Sequence, residues 1–222
     1  MLRVLVQARM SSSRFPGKVL APFLGKPLIA HVIERIQIAV PSDRIILLTS
    51  SEMSDDPLAA YVERELGTTV YRGELENVFA RFQGCLREHP CDWFARICAD
   101  SPLIEGELIA RLVGLVNVDF DIITNVSTRT FPPGQSVELM RTAPFLSVDS
   151  RALNTQEQEH VTLQYYRETS PHRMLKVVSS MPSLASTPMV VDSIEDLRRL
   201  ETFATNPPTP AISYAGLATV QK

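Results

Sequence analysis

The sequence predicts an α/β fold, a mainly parallel sheet with helices on both faces. Two observations carry this. Short, near-continuous apolar runs recur along the chain, and stretches with helical spacing of apolar residues separate them. Strands that are apolar on both sides belong to sheets covered on both faces, and parallel strands need a helical crossover between them.

Each element follows in order. Leu2–Val6 reads as a buried strand. Leu28, Ile29, Val32, Ile33 and Ile36 recur at helical spacing, which makes Pro27–Ala39 a helix with proline in its first turn. Arg44–Thr49 is a second apolar strand, and Pro57–Leu66 a helix closed by Gly67. Thr69–Tyr71 is a short strand, followed by a helix marked by Leu75, Val78, Phe79, Phe82 and Leu86. Trp93–Cys98 is a strand, Leu108 to Val116 the next helix, and Phe120–Thr124 a further strand. The region 125–170 reads as an excursion from the sheet. Within it Ser136–Arg141 alternates like a half-exposed strand, and Pro144–Leu153 and Gln156–Glu168 read as helices. Met174–Ser179 and Met189–Asp192 return to the strand pattern, and Ile194–Ala204 is a closing helix. Residues 1–204 thus make one domain, with 205–222 an irregular, proline-containing tail.

Composition bounds the function. The chain has 222 residues, 45% hydrophobic, with 22 Lys+Arg against 25 Asp+Glu and a net charge of −3. That balance argues against a broad nucleic-acid or anionic-membrane surface. No stretch approaches the ~18 apolar residues of a membrane span. The short apolar N-terminus is no signal peptide core, so a cytoplasmic location is expected. Cys85, Cys91 and Cys98 lack metal-ligand spacing and read as reduced, mostly buried thiols.

In sheets of this kind ligands gather beyond the carboxyl ends of the strands. After the first strand, residues 7–18 crowd Arg9, Arg14 and Lys18 with Ser11, Ser12, Ser13, Pro16 and Gly17. Such a loop can wrap an anion with backbone N–H groups and hydroxyls while its cations neutralise charge. It has neither Walker A nor Gly-x-Gly-x-x-Gly spacing. Asp100 follows the strand Trp93–Cys98 and Asp192 follows Met189–Val191. One carboxylate after each of two strands, facing one basic loop, is an arrangement suited to a metal bound with a triphosphate.

These residues resemble the cytidylyltransferase family that activates acidic sugars, in particular the branch of the spore-coat polysaccharide biosynthesis protein F, related to CMP-sialic acid and CMP-Kdo synthetases. Ala8, Arg9, Ser12, Arg14, Pro16 and Lys18 match its pattern Ala-Arg-x-x-Ser-x-Arg-x-Pro-x-Lys. Ser54–Leu58, Tyr71–Gly73, Ala99–Ile104, Pro133–Glu138, Glu159–Thr162 and Val191–Leu197 resemble its later signatures. The resemblance implies a Rossmann-like sheet of the nucleotide-diphospho-sugar transferase type, CTP and a sugar acid as substrates, Mg²⁺ as cofactor and a homodimer. It implies a nucleotide site of Ala8, Arg9, Ser12, Arg14, Lys18 and Arg72, with Arg9, Lys18 and Asp100 catalytic. Asp100 and Asp192 would hold the metal, and Glu138, Glu159 and His160 would belong to the acceptor pocket or the dimer contact. Ser136–Arg141 and the helices after it are the expected dimer surface. Cytosine follows from the resemblance alone. Ala99 replaces the glycine of the pattern, and no second Asp stands two residues after Asp192, since Asp196 lies four on. Two alternatives stay open: a nucleotide-sugar-dependent glycosyltransferase of the same fold, and a non-catalytic nucleotide-binding subunit. The first lacks its usual Asp-x-Asp, because Ser101 and Pro102 follow Asp100. The intact Arg9–Lys18 loop and both Asp residues argue against the second.

Overall fold

The apolar runs become the strands of one sheet. The computed structural model describes residues 1–117, 119–180, 182–206 and 217–221. Its strands are β1 (Leu2–Gln7), β2 (Pro22–Phe23), β3 (Lys26–Pro27), β4 (Ile45–Ser50), β5 (Thr69–Gly73), β6 (Trp93–Cys98), β7 (Ile122–Thr124), β8 (Glu138–Arg141), β9 (Met174–Ser179) and β10 (Leu217–Gln221). Its helices are α1 (Leu28–Ile36), α2 (Asp56–Arg64), α3 (Val78–Glu88), α4 (Gly106–Val113), α5 (Thr142–Leu146), α6 (Thr155–Glu159) and α7 (Ile194–Thr205). The sheet runs β10-β9-β7-β8-β6-β1-β4-β5, with β2 and β3 a separate small hairpin. β1 pairs in parallel with β4 and β6, and β4 with β5.

Successive side chains of a strand point to opposite faces, so two cores form. On one face Val4, Val6, Ile45, Leu47 and Ile97 pack under α1, α2, α4 and α7. On the other Leu5, Ile46, Leu48 and Phe94 pack under α3, α5 and the segment around Val161 and Tyr165. β1 ends at Gln7 and β6 at Cys98, directly opposite each other. The loops that follow them therefore open at the same edge of the sheet.

Several expectations are corrected. Ser136–Arg141 is not half-exposed: β8 lies inside the sheet, antiparallel to β6 and β7, with Glu138, Leu139 and Met140 buried. Its buried residues are therefore not available as a dimer surface, and the excursion is a loop, a central strand and the short helices that follow it. The alternation misled because Glu138 is polar yet paired inside the protein. The expected helices shrink to α5 and to α6 followed by a short 3₁₀ turn, Leu163–Tyr166. Leu75 precedes α3, whose cap is Asn77, its side chain accepting from Ala80 N–H. Met189–Asp192 forms no strand; Val191 N–H makes a single bond, of 2.9 Å, to the Asp100 carbonyl. The expected irregular tail holds a strand at 217–221, antiparallel to β9. Its segment 207–216 lies outside the described residues.

Gln135, fully buried, ties the loop before β8 to the loop after β6. Its amide donates to the Leu103 carbonyl at 2.8 Å and its side-chain oxygen accepts from Glu105 N–H at 2.9 Å. Gly134 has φ +99°, and a Cβ there would lie 2.4 Å from the Met189 carbonyl oxygen. Glycine alone lets this loop brace the segment that carries Asp192.

The short α5 is anchored by one ring. Phe145 stacks on Phe79 at 4.2 Å and meets Phe94 edge-on at 4.9 Å. Phe145→Ala is expected to cost about 3–5 kcal/mol, read as a lower urea midpoint at unchanged m-value. A loss below about 1 kcal/mol would show that α5 does not depend on this anchor.

Candidate active site

The loop after β1 is shaped from both ends. Ala8 N–H continues the ladder to the Leu48 carbonyl at 3.0 Å, and Gly17 N–H closes the loop onto the Met10 carbonyl at 2.9 Å. Gly17 has φ +73°, a conformation that side chains rarely adopt. Asp55, fully buried at the start of α2, fixes the middle. Its carboxylate accepts from Met10 N–H at 2.7 Å, from Thr49 and Ser50 hydroxyls at 2.9 and 2.5 Å, and from Ser50 N–H at 3.0 Å. Burial pushes its pKa up, but the hydrogen bonds from Ser50, Met10 and Thr49 outweigh burial and hold it below the ordinary carboxylate value.

Lys18 follows this loop and is the centre of the site. Only 8% exposed, its ammonium donates to Asp100 Oδ2 at 3.1 Å, Asp192 Oδ1 at 3.0 Å and the Val191 carbonyl at 2.8 Å. All three of its protons are thus engaged. Arg14 pairs with the other oxygen of Asp192 at 2.9 Å, and Arg9 with Glu159 at 3.3 Å. These groups line a cleft of ≈ 390 Å³ with Gln7, Ala8, Ser12, Ser13, Arg81 and His160.

The structure therefore brings together Ala8, Arg9, Ser12, Arg14, Lys18, Asp100, Asp192, Glu159 and His160. Two expected residues lie elsewhere. Arg72 is not among the cleft-lining side chains: it binds the Ser50 and Glu52 carbonyls at 2.9 and 2.8 Å and Asp56 at 2.6 Å, bracing the end of β4. Glu138 is set back from the cleft. It accepts from Arg96 at 2.6 Å and from the Tyr166 hydroxyl at 2.5 Å, while Arg96 Nε donates to Gln7 at 3.2 Å. Burial, with the Glu138 carboxylate alongside, pushes the Tyr166 phenol well above its ordinary pKa, so it remains a donor. Glu138 reaches the cleft only through Arg96 and Gln7.

Ala99 carries no backbone penalty. It is absent from the positive-φ residues, and its N–H bonds the Gln7 carbonyl at 3.0 Å. Asp196 is consumed as the third residue of α7. It accepts from Ser193 and from Asp192 N–H, completes a capping box and pairs with Arg199 at 3.0 Å. The thiols are inert by protonation: burial pushes Cys85 up to about 12 and raises Cys98, which lines the cleft. Two residues of the site had no assigned role from sequence. Asp55 stood inside a quoted signature, whereas Arg81, within the α3 pattern, gave no signal at all.

The fold and this cleft define a nucleotidyltransferase. A family profile described as cytidylyltransferase matches residues 3–205, and the chain belongs to that family. It is 28% identical over 178 residues to the spore coat polysaccharide biosynthesis protein SpsF of Bacillus subtilis (strain 168), covering 77% of this chain and 72% of that protein. It is 34% identical over 124 residues to a 3-deoxy-manno-octulosonate cytidylyltransferase of Anaeromyxobacter dehalogenans (strain 2CP-1 / ATCC BAA-258), covering 54% of this chain and 49% of that enzyme. The chain thus spans about half the length of that relative. The structure of a cytidylyltransferase from Leptospira borgpetersenii superposes with a TM-score of 0.87 at 24% identity, covering 96% of this chain and 90% of that one. No helix among the described residues is long and apolar enough to cross a membrane.

Asp55→Asn places an amide donor against the Ser50 and Thr49 donors and is expected to destabilise by about 1–3 kcal/mol at pH 7. The folded pKa of Asp55 lies below its ordinary value of 3.8. Its contribution is therefore complete above about pH 4 and is lost as pH falls through the folded value. Urea titrations of both proteins should show a constant gap down to about pH 4 that narrows below it. A gap independent of pH into the acid range would contradict this role.

Proposed function

We propose that the chain transfers CMP from CTP to an acidic sugar of the nonulosonic or Kdo-like class, releasing pyrophosphate, in the biosynthesis of a surface polysaccharide. The observation that carries the reading is the meeting of Lys18, Asp100 and Asp192 on one wall of a cleft that the Arg9–Arg14 loop also lines. Family membership and the matches to SpsF and the octulosonate enzyme support the base and the substrate class.

Lys18 occupies the point where Asp100 Oδ2, Asp192 Oδ1 and the Val191 carbonyl converge. Each carboxylate keeps a second oxygen, Asp100 Oδ1 beside the Ser101 hydroxyl and Asp192 Oδ2 beside the exposed Arg14, and two such hard donors completed by phosphate and water fit a divalent ion. Asp100 and Asp192 would hold it, and it would supply positive charge to the phosphate oxygens. The chain's own residues do the rest. Arg9, Arg14 and the Ser12–Ser13 segment bind the triphosphate and aim its α-phosphorus at the sugar hydroxyl. Lys18 keeps the two carboxylates convergent and adds charge beside the oxygens on which negative charge accumulates as pyrophosphate leaves. Glu159 and His160 line the same cleft, Glu159 paired with Arg9, and are assigned in this reading to the acceptor. The homodimer implied by the resemblance belongs to this reading, with its surface away from the buried β8.

Lys18→Ala and Asp100→Ala are each expected to lower CTP-dependent pyrophosphate release by about 10²–10³, with far-UV circular dichroism unchanged. Chelation with EDTA should abolish release in the wild type, and added Mg²⁺ or Mn²⁺ should restore it. Full activity in either variant, or in EDTA, would sink the assignment.

A further inference from the structure

One cation on the cleft wall has no partner among the described residues. Arg81, on α3, is 2% exposed, and among the described residues its guanidinium makes no hydrogen bond or ion pair; Nε and Nη1 are sealed from solvent without an acceptor. Room for its stem comes from Gly73, where a Cβ would lie 3.1 Å from Arg81 Cγ. Burying a charge without a counter-ion is strongly unfavourable. Burial, with Arg9 nearby, pulls its pKa down to about 10, which leaves it charged at neutral pH.

The carboxylates around it are committed. Asp55, which acts on Arg81 electrostatically, gives its oxygens to Met10, Thr49 and Ser50. Glu159 holds Arg9, and Asp192 holds Arg14 and Lys18. The cleft thus presents four cationic side chains against three carboxylates, and the unmatched charge is Arg81.

We propose that Arg81 is an oxyanion-binding residue of the cleft, and that its missing partner is a phosphate or carboxylate group carried in by a substrate. The proposal rests on reading the cleft as the site for CTP and an acidic sugar. Both substrates carry planar or tetrahedral oxyanions that a guanidinium fork grips with two N–H groups, which an ammonium does not do. A helix of the opposite core face thereby enters the nucleotide cleft, and the charge that is unfavourable in the free protein becomes a source of affinity.

Thermal unfolding and titration calorimetry of Arg81→Met test this, with inorganic pyrophosphate, CTP, cytidine and 3-deoxy-manno-octulosonate as probes. The ligand-free variant should melt at or above the wild-type temperature, because an unpaired buried charge is gone. Its affinity should fall at least about tenfold for the anion that Arg81 binds and stay unchanged for cytidine. A fall for pyrophosphate and CTP identifies phosphate; a fall for the octulosonate alone identifies the carboxylate. Arg81→Lys keeps the charge without the fork and should show the same ranking with smaller losses, which supplies the readout where the Met variant does not fold. Unchanged affinity for every anion, or a lower ligand-free melting temperature with unchanged affinities, overturns the proposal. Loss of pyrophosphate affinity in a protein that never forms a CMP-sugar leaves Arg81 as proposed and removes the transferase reading. A CMP-sugar made by Arg81→Met with wild-type affinities does the reverse.

Discussion

The buried ammonium of Lys18 is the constraint on which the site depends. It draws together three segments remote in sequence: the loop after β1, the exit of β6 at Asp100, and the turn into α7 at Asp192. Two carboxylates this close repel each other in a partly dry setting, and a cation between them turns that repulsion into attraction. The same contact sets the mouth of the cleft. Gly17 lets the loop after β1 turn at positive φ, and Gly134 lets the loop before β8 approach the Met189 backbone. The capping box of Ser193 and Asp196 then fixes the direction in which Asp192 points.

Around that bridge the protein separates charge by depth. Asp55 and Glu138 are buried and spend their oxygens inside the chain, Asp55 on the loop after β1 and Glu138 on Arg96 and Tyr166. Arg14 and Glu159 are well exposed at the cleft rim, where ion pairs are weak and exchange readily. In the proposed reading an incoming triphosphate displaces weak rim pairs while the deep ones keep their geometry. This is a preorganised site in the electrostatic sense: the costly arrangement of dipoles and charges is made by folding, before substrate arrives.

The sequence was most legible where the physics is local. β1, β4 and β6 are mostly apolar runs, and the basic loop with its Ser, Pro and Gly residues was able to wrap an anion but read as an anion site only with the family pattern beside it. Ala8, Arg9, Ser12, Arg14, Lys18 and Asp100 line the cleft beyond the ends of β1 and β6 as the strand-end argument expected, and Asp192 lines it too although no strand precedes it. Legibility failed where a non-local pair decides burial. Glu138 alternates with apolar neighbours and so mimics an exposed face, yet Arg96 and Tyr166 from distant segments absorb its charge. Arg72 matched a signature but is occupied by the Ser50 and Glu52 carbonyls. Arg81 sits among apolar residues of α3 as any solvated helix arginine would, and only the packing shows it buried. The strand at 217–221 pairs with β9 from beyond a proline-rich stretch that gave it no context.

The central claim is chemical: one bond at the α-phosphorus of CTP breaks and a bond from that phosphorus to an acidic sugar forms. Incubation with CTP labelled at the α-phosphate, a divalent cation and a panel of sugar acids follows that atom directly. The account predicts that the label moves onto one class of sugar acid as a CMP conjugate, matched mole for mole by unlabelled pyrophosphate. Label that stays in CTP with every acid, or that leaves as free CDP, would contradict it.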